Sequence, residues 1–148
     1  MRRLLVLLAG LALVGAACGG GGSGGRLSKE GFAKRADALC TRYTADLRRL
    51  GQPKSFAELA AFTDKAVPLA QRLIDDTKKL EPPEEEQALV DRWSAENQKI
   101  VDAIKDLGDA ARKNDQKAAQ AALDAGNAAN ERSNVLGRQL GMSACTKD

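Results

Sequence analysis

The chain has 148 residues, a length that suits one domain and excludes several separate cores. Aromatic residues make up 3% of it and charged residues 29%, which favours Ala- and Leu-rich helices with solvated faces over strands. Removing Arg2 and Arg3, which precede an apolar segment, leaves 21 of the 23 basic residues against 20 acidic ones, a net charge of +1. A nearly neutral body argues against electrostatic binding of nucleic acid.

The first 17 residues have the pattern of a secretory signal peptide. Met1-Arg2-Arg3 is a short basic region, and the apolar residues 4–17 follow it. A membrane-spanning helix needs about 20 apolar residues, and this segment is shorter. We therefore expect residues 1–17 to direct export and not to form a permanent span.

The residues Val14-Gly15-Ala16-Ala17 before Cys18 resemble the lipobox of bacterial lipoprotein precursors. The resemblance implies that the Cys18 thiol takes a diacylglyceryl group and that cleavage before Cys18 makes it the first, membrane-anchored residue. An alternative stays open, because Gly15-Ala16-Ala17 also has the small-x-small form that ordinary signal peptidase accepts. That cleavage would release a secreted, unlipidated protein.

Residues 19–25, GGGGSGG, follow the cysteine and have almost no side chains to bury. Such a segment is a flexible coil with an end-to-end distance of about 15 Å. The predicted organisation is therefore a signal peptide (1–17), a lipidated cysteine with its linker (18–25) and a helical bundle domain (26–148).

Three cysteines are an odd number for an exported protein, in which thiols tend to pair. Lipidation of Cys18 would leave Cys40 and Cys145, and we expect these two to form a disulfide. In the chain-entropy model a disulfide that closes a loop of about a hundred residues stabilises a fold by up to about 4–5 kcal/mol. The disulfide also requires the C-terminal tail to fold against the first helix.

Apolar residues recur at three- and four-residue intervals in the first two predicted helices. Ser28 caps the first helix, Gly51-Gln52-Pro53 ends it, and a capping box from Ser55 to Glu58 opens the second. Pro68 lies inside the second helix and is expected to kink it. The two apolar stripes are Phe32, Ala36, Leu39, Tyr43, Leu47 and Leu50, and then Leu59, Phe62, Ala66, Leu69, Leu73 and Leu80.

Pro82-Pro83 separates the second helix from a third, whose first turn is predicted to hold the acidic residues 84–86. Asn114-Asp115 forms the next turn and cap, and Gly141 suits the end of the fourth helix. The expected inward faces are Leu89, Trp93, Ile100, Ile104, Leu107 and Ala111, and then Ala118, Ala119, Ala122, Gly126, Ala129, Ser133, Leu136 and Leu140. Short connections favour an all-α, antiparallel, up-down-up-down four-helix bundle.

The lipobox and linker, an "ADALC" segment in the first helix, the proline in the second and an "LGRQLGMSAC" ending resemble a group of small helical lipoproteins of high-GC Gram-positive bacteria. The resemblance implies a lipid-anchored location on the outer face of the cell membrane and a helical fold. It carries over Cys18, Cys40 and Cys145, and it implies no activity.

The chain contains no histidine, which excludes Ser-His and Cys-His dyads and His-containing metal or haem sites. The acidic pairs, Asp75-Asp76 and the cluster 84–86, are explained as exposed helix faces. No phosphate-binding glycine loop is present. We therefore predict no enzyme activity, no cofactor and no metal site.

Two features of the last helices have alternative explanations. Asn127, Asn130 and Asn134 share one face and either line a polar groove that binds a ligand or partner helix, or form an uncharged solvent face. The single tryptophan, Trp93, is expected in the core and not on a stacking platform. The functional prediction is a membrane-anchored envelope module that binds a ligand or a protein partner, and the alternative is a purely structural envelope bundle.

Overall fold

A computed structural model describes residues 25–146, which contain four α-helices and no strand. The helices are α1 (Lys29–Arg49), α2 (Phe56–Lys78), α3 (Gln87–Arg112) and α4 (Gln116–Gln139). Short 3-10 turns precede α3 (Glu84–Glu86) and follow α4 (Ala144–Thr146). The predicted all-α class and four-helix bundle are confirmed. The signal peptide, Cys18 and most of the linker lie outside the described residues.

Within residues 25–146, no helix has the length and apolar character needed to cross a membrane.

Three helices begin where the sequence predicts, because a side-chain oxygen accepts a hydrogen bond from a free backbone amide. The hydroxyls of Ser28 and Ser55 accept from the amides of Gly31 (3.1 Å) and Glu58 (3.2 Å). The Glu58 carboxylate accepts a hydrogen bond from the Lys54 backbone amide at 2.7 Å. In a standard capping box the donor would be the Ser55 amide, one residue later. Asp115 caps α4 in the same way as the two serines.

Both α3 and α4 end in a Schellman motif, in which a residue with positive φ reverses the chain. Asn114 (φ 51°) has this conformation after α3, and Gly141 (φ 77°) has it after α4. At α4 the Gly141 amide donates to the Arg138 carbonyl, and the Met142 amide donates to that of Gly137. The predicted turn residues are therefore confirmed, and the second motif directs the C-terminal tail back toward α1.

The acidic run differs from its predicted form. Residues 84–86 make a 3-10 turn, and the α-helix begins only at Gln87. The Pro83 carbonyl accepts from the Glu86 amide at 3.0 Å, so the turn is set by the i+3 bond that follows the two prolines.

The buried face of α3 is also wider than its predicted stripe. Val90 and Val101 are buried, whereas Leu89, Ile100, Ile104 and Leu107 are only partly buried. The reason is that α3 packs closely against both α2 and α4. In α4 the predicted core position Ala118 is exposed.

Two ion pairs between helices show which parts of α2, α3 and α4 lie side by side. Arg112 in the last turn of α3 forms an ion pair with Asp64 near the start of α2. Glu96 of α3 pairs with Arg132 of α4 at 2.8 Å. These contacts agree with antiparallel neighbours, and the complete up-down-up-down order stays a prediction.

The first helix is attached differently from the others. It packs mainly against α2 and the C-terminal 3-10 turn, and its side toward α4 is the least closely packed side of the bundle. Its N-terminal half carries Phe32, Ala36 and Cys40, which are buried in the main core with Trp93 and Leu140. Its C-terminal half has no fully buried residue. The bundle is therefore tight at one end of α1 and loose at the other.

Close helix packing depends on small residues, most strictly at Gly108 of α3. A Cβ atom at this position would collide with the Oγ1 atom of buried Thr63 and would lie 3.1 Å from its Cβ. Rotation of the threonine cannot relieve both contacts. At Gly126 of α4 an added Cβ would meet only the Cβ of Ala103, at 3.4 Å, which is an ordinary contact.

Replacement of Gly108 by Ala should lower the free energy of unfolding by about 1–3 kcal/mol, because the clash between α2 and α3 outweighs the gain in helix propensity. Gly126→Ala is the matched control and should be neutral or stabilising by up to about 1 kcal/mol. Urea unfolding followed by circular dichroism measures both. Equal effects of the two substitutions would contradict close packing at Gly108.

Candidate functional site

A partly enclosed cleft of about 140 Å³ lies between the four helices where α1 is loosely packed. We call it the central cleft, and it is bounded by all four helices and by the C-terminal tail. Its lining residues are Cys40, Tyr43, Thr44, Ala70, Leu73, Ile74, Trp93, Asn97, Ile100, Asn130, Ser133, Ala144 and Cys145. None of these side chains carries a charge, so the cleft is an uncharged site of mixed apolar and polar character.

The apolar part of the cleft comes from α2 and α3. Leu73, Ile74 and Trp93 are buried and fix its shape, because they belong to the two apolar clusters of the core. Trp93 is 1% exposed, as predicted for a core residue. Among residues 25–146 its indole N–H has no hydrogen-bond partner. A small side chain at Ala70 leaves the volume that a larger residue would fill.

The polar part joins α3 to α4. The side-chain amide nitrogen of Asn97 donates to the Ser133 hydroxyl at 2.7 Å and to the backbone carbonyl of Trp93 at 2.8 Å. Glu96, the residue before Asn97, accepts hydrogen bonds from Lys99 and Arg132, which lower the pKa of its carboxyl group. These contacts fix the register of the two helices beside the cleft. The side-chain carbonyl oxygen of Asn97 and the hydroxyl proton of Ser133 are not used in this bond and stay available for another partner.

Tyr43 provides a third polar group on the α1 wall. It is partly buried and packs against the cluster of Ala70, Ile74 and Val101. Loss of solvent on burial raises the pKa of its hydroxyl to about 12. No residue in the described range forms a hydrogen bond with this hydroxyl. Tyr43 is therefore a neutral hydroxyl with unused hydrogen-bonding capacity at neutral pH.

The C-terminal tail closes one end of the cleft. Cys40 and Cys145 are joined by a disulfide with a Cα–Cα distance of 5.2 Å, as predicted. Asp37, one turn before Cys40, accepts hydrogen bonds from the Ser143 amide (3.1 Å), the Ser143 hydroxyl (2.9 Å) and the Ala144 amide (2.7 Å). Met142 is fully buried. The tail thus docks through polar and apolar contacts as well as through the disulfide, which is more than its sequence predicts.

The three predicted asparagines occupy different environments. Asn127 and Asn130 are exposed, Asn134 is buried, and Asn130 also lines the central cleft. The structure therefore brings only Asn130 to the cleft. No cluster of three or more potential metal ligands occurs among the described residues.

A wider groove of about 730 Å³ adjoins the cleft along α1. Thr44 and Ala144 line both spaces, so the groove and the cleft adjoin at these two residues. The rest of its lining comes mostly from the C-terminal half of α1, with Phe62 of α2 on the far side.

Sequence reasoning missed the roles of Asp37, Tyr43 and Asn97. Tyr43 occurs in a helical apolar stripe, and Asn97 has no periodic partner that marks it as a bridge to Ser133. The "ADALC" segment contains a signal for Asp37, because it places the carboxylate one turn before the disulfide cysteine.

The stability of the protein should fall at alkaline pH because of Tyr43. Its hydroxyl has a pKa of about 12 when folded and about 10 when unfolded. Between these values the unfolded chain loses a proton that the folded protein retains, so up to about 3 kcal/mol of stability is lost as pH rises. Tyr43→Phe should remove this part of the pH dependence in urea unfolding. Because Tyr43 is the only tyrosine, its ultraviolet titration reports the same pKa directly. A midpoint near 10 in the folded protein would contradict this environment.

The tail should have two independent attachments, Asp37 and the disulfide. Asp37→Ala should lower the free energy of unfolding by about 1–2 kcal/mol, since it leaves two amides without their acceptor. Asp46→Ala, which removes only an exposed i,i+3 ion pair on the same helix, is the control and should change it by less than about 0.5 kcal/mol. Hydrogen exchange at the amides of residues 143 and 144 should become fast in Asp37→Ala, because their acceptor is lost, and should stay slow after reduction alone. Fast exchange after reduction alone would show that the disulfide alone holds the tail.

No family model, curated protein or solved structure matches the chain.

Proposed function

We propose that this protein is a lipid-anchored, extracytoplasmic module that binds a ligand in the central cleft. The Cys18 lipid would hold it on the outer face of the cell membrane, and the bundle would present the cleft to the surrounding space. The observation that carries the binding role is the uncharged, partly enclosed cleft bounded by all four helices. Such concave sites with a few converging polar groups are the usual location of small ligands.

The disulfide supports the extracytoplasmic location. Cys40 and Cys145 are 105 positions apart, and their pairing is the kind of structural bond that persists in oxidising compartments. The signal-peptide pattern before Cys18 agrees with export. An envelope protein partner is compatible with this location, and the cleft favours a small ligand as the primary binding partner.

The start of the domain shows which end of the bundle the linker joins. Arg26 donates to the Pro82 carbonyl at 2.9 Å, and the Leu27 amide donates to the Glu81 carbonyl at 2.9 Å. Lys29 adds an ion pair with Glu86 at 2.6 Å. The residues after the linker are therefore fixed to the α2–α3 connection. A lipid on Cys18 would hold this end toward the membrane and leave the α3–α4 turn at the far end.

Replacement of Cys18 by Ser should move the protein from the membrane fraction to the soluble fraction, because the two acyl chains on this residue supply the anchor. Mass spectrometry of the wild-type N-terminal peptide should show a diacylglyceryl group on Cys18. Ser23→Ala in the linker is the control and should leave the membrane fraction unchanged. A processed Cys18→Ser variant that stays in the membrane would remove the anchor from the proposal.

A further inference from the structure

We infer that the central cleft binds a small uncharged molecule whose apolar body is the size of one six-membered ring and whose edge carries a hydroxyl or similar group. This inference rests on the proposed binding function and adds the chemical class of the ligand.

The volume of the cleft sets the size of the ligand. An engineered apolar cavity of about 150 Å³ in another protein binds benzene, and the central cleft has about 140 Å³. The same volume equals roughly four to five water molecules at their liquid density. Water alone suits the apolar walls at Leu73, Ile74 and Trp93 poorly, because these side chains offer it no hydrogen bonds.

The lining excludes charged ligands. None of the side chains around the cleft is acidic or basic, so a carboxylate or an ammonium ion would lose its hydration without gaining a counter-charge. Tyr43 does not supply a charge either, because a tyrosine hydroxyl is protonated at neutral pH and burial raises its pKa further.

Polar groups with unused capacity account for the hydroxyl on the ligand. Nothing among the described residues bonds to the Tyr43 hydroxyl, and the Asn97 carbonyl oxygen and Ser133 proton are not used in the bond between those two residues. A ligand hydroxyl can accept from one of these groups and donate to another. The cleft is only partly enclosed, so a ligand can reach these groups from solvent.

The experiment uses the mature protein, isolated from membranes and reconstituted in phosphatidylcholine vesicles. The probes are phenol, benzene and benzoate, which share a ring and differ in the polar group. Trp93 lines the cleft and is the only tryptophan, so its fluorescence reports occupancy of this site. Empty vesicles correct for partition of each probe into lipid.

Phenol should change the Trp93 emission in a saturable way, benzene should bind more weakly, and benzoate should not bind. Tyr43→Phe should weaken phenol binding by about fivefold, the effect of one neutral hydrogen bond, and leave benzene binding unchanged. Ala70→Leu should abolish binding of both probes by filling the cleft. Ala57→Leu, at an exposed position of the same helix, is the matched control and should bind like the wild type.

A second filling variant, Thr44→Leu, keeps the test decisive if Ala70→Leu does not fold. Saturable binding of benzoate in place of phenol would overturn the ligand class and leave the binding function standing. Binding of phenol and benzene with equal affinity, or phenol binding unchanged in both filling variants, would also overturn the inference. Absence of saturable binding by all three probes would remove the binding function as well, whatever the Cys18→Ser fractionation shows.

Discussion

The return of the C-terminal segment to α1 is the constraint on which the rest of the structure depends. Direct packing of α1 on α4 is sparse, so the tail connects these two helices. The Schellman motif at Gly141 reverses the chain, and the next residue, Met142, enters the core. Asp37 and Cys40, one turn apart on α1, then hold the tail through hydrogen bonds and the disulfide. This connection adds to the core contacts that Phe32 and Ala36 of α1 make with Trp93 and Leu140.

The central cleft follows from the composition of the core. Aromatic residues are 3% of the chain, and many buried positions are alanines. Small residues allow α3 to approach both of its neighbours closely, as at Gly108 against Thr63. Close approach of α1 to α4 is sparse, and the small side chains between the helices leave the central cleft unfilled. The small side chains that allow α2, α3 and α4 to pack closely also leave unfilled space beside α1.

Local features of the fold could be predicted because their causes lie within a few residues. The serine caps, the Asn114 and Gly141 turns and the helix containing Pro68 each depend on a short stretch of sequence. The disulfide was predictable for another reason, since Cys18 had a separate explanation and only one pair remained. Residues 84–86 show the limit of this approach, because consecutive prolines favour a 3-10 turn before the helix.

The site could be predicted only in part. Asn130 was recognised as a candidate, whereas Tyr43 and Asn97 were not. Hydrophobic periodicity shows which side of a helix is buried but not whether the next helix covers it. Ile100, for example, lines the central cleft and is only partly buried, although its periodic position predicts a core residue. Tertiary contacts such as Asp37 to Ala144, 107 positions apart, leave no periodic signal.

The location of the tail at one end of the cleft couples docking of the tail to binding in the cleft. Cys40, Ala144 and Cys145 hold the tail on α1 and also form one end of the cleft. On the proposed binding function, a ligand that contacts this end binds the docked state more tightly than the undocked one, so its binding stabilises docking. By reciprocity, docking of the tail strengthens ligand binding by the same factor. On the proposed function, the disulfide and Asp37 together keep the docked state populated in the absence of ligand.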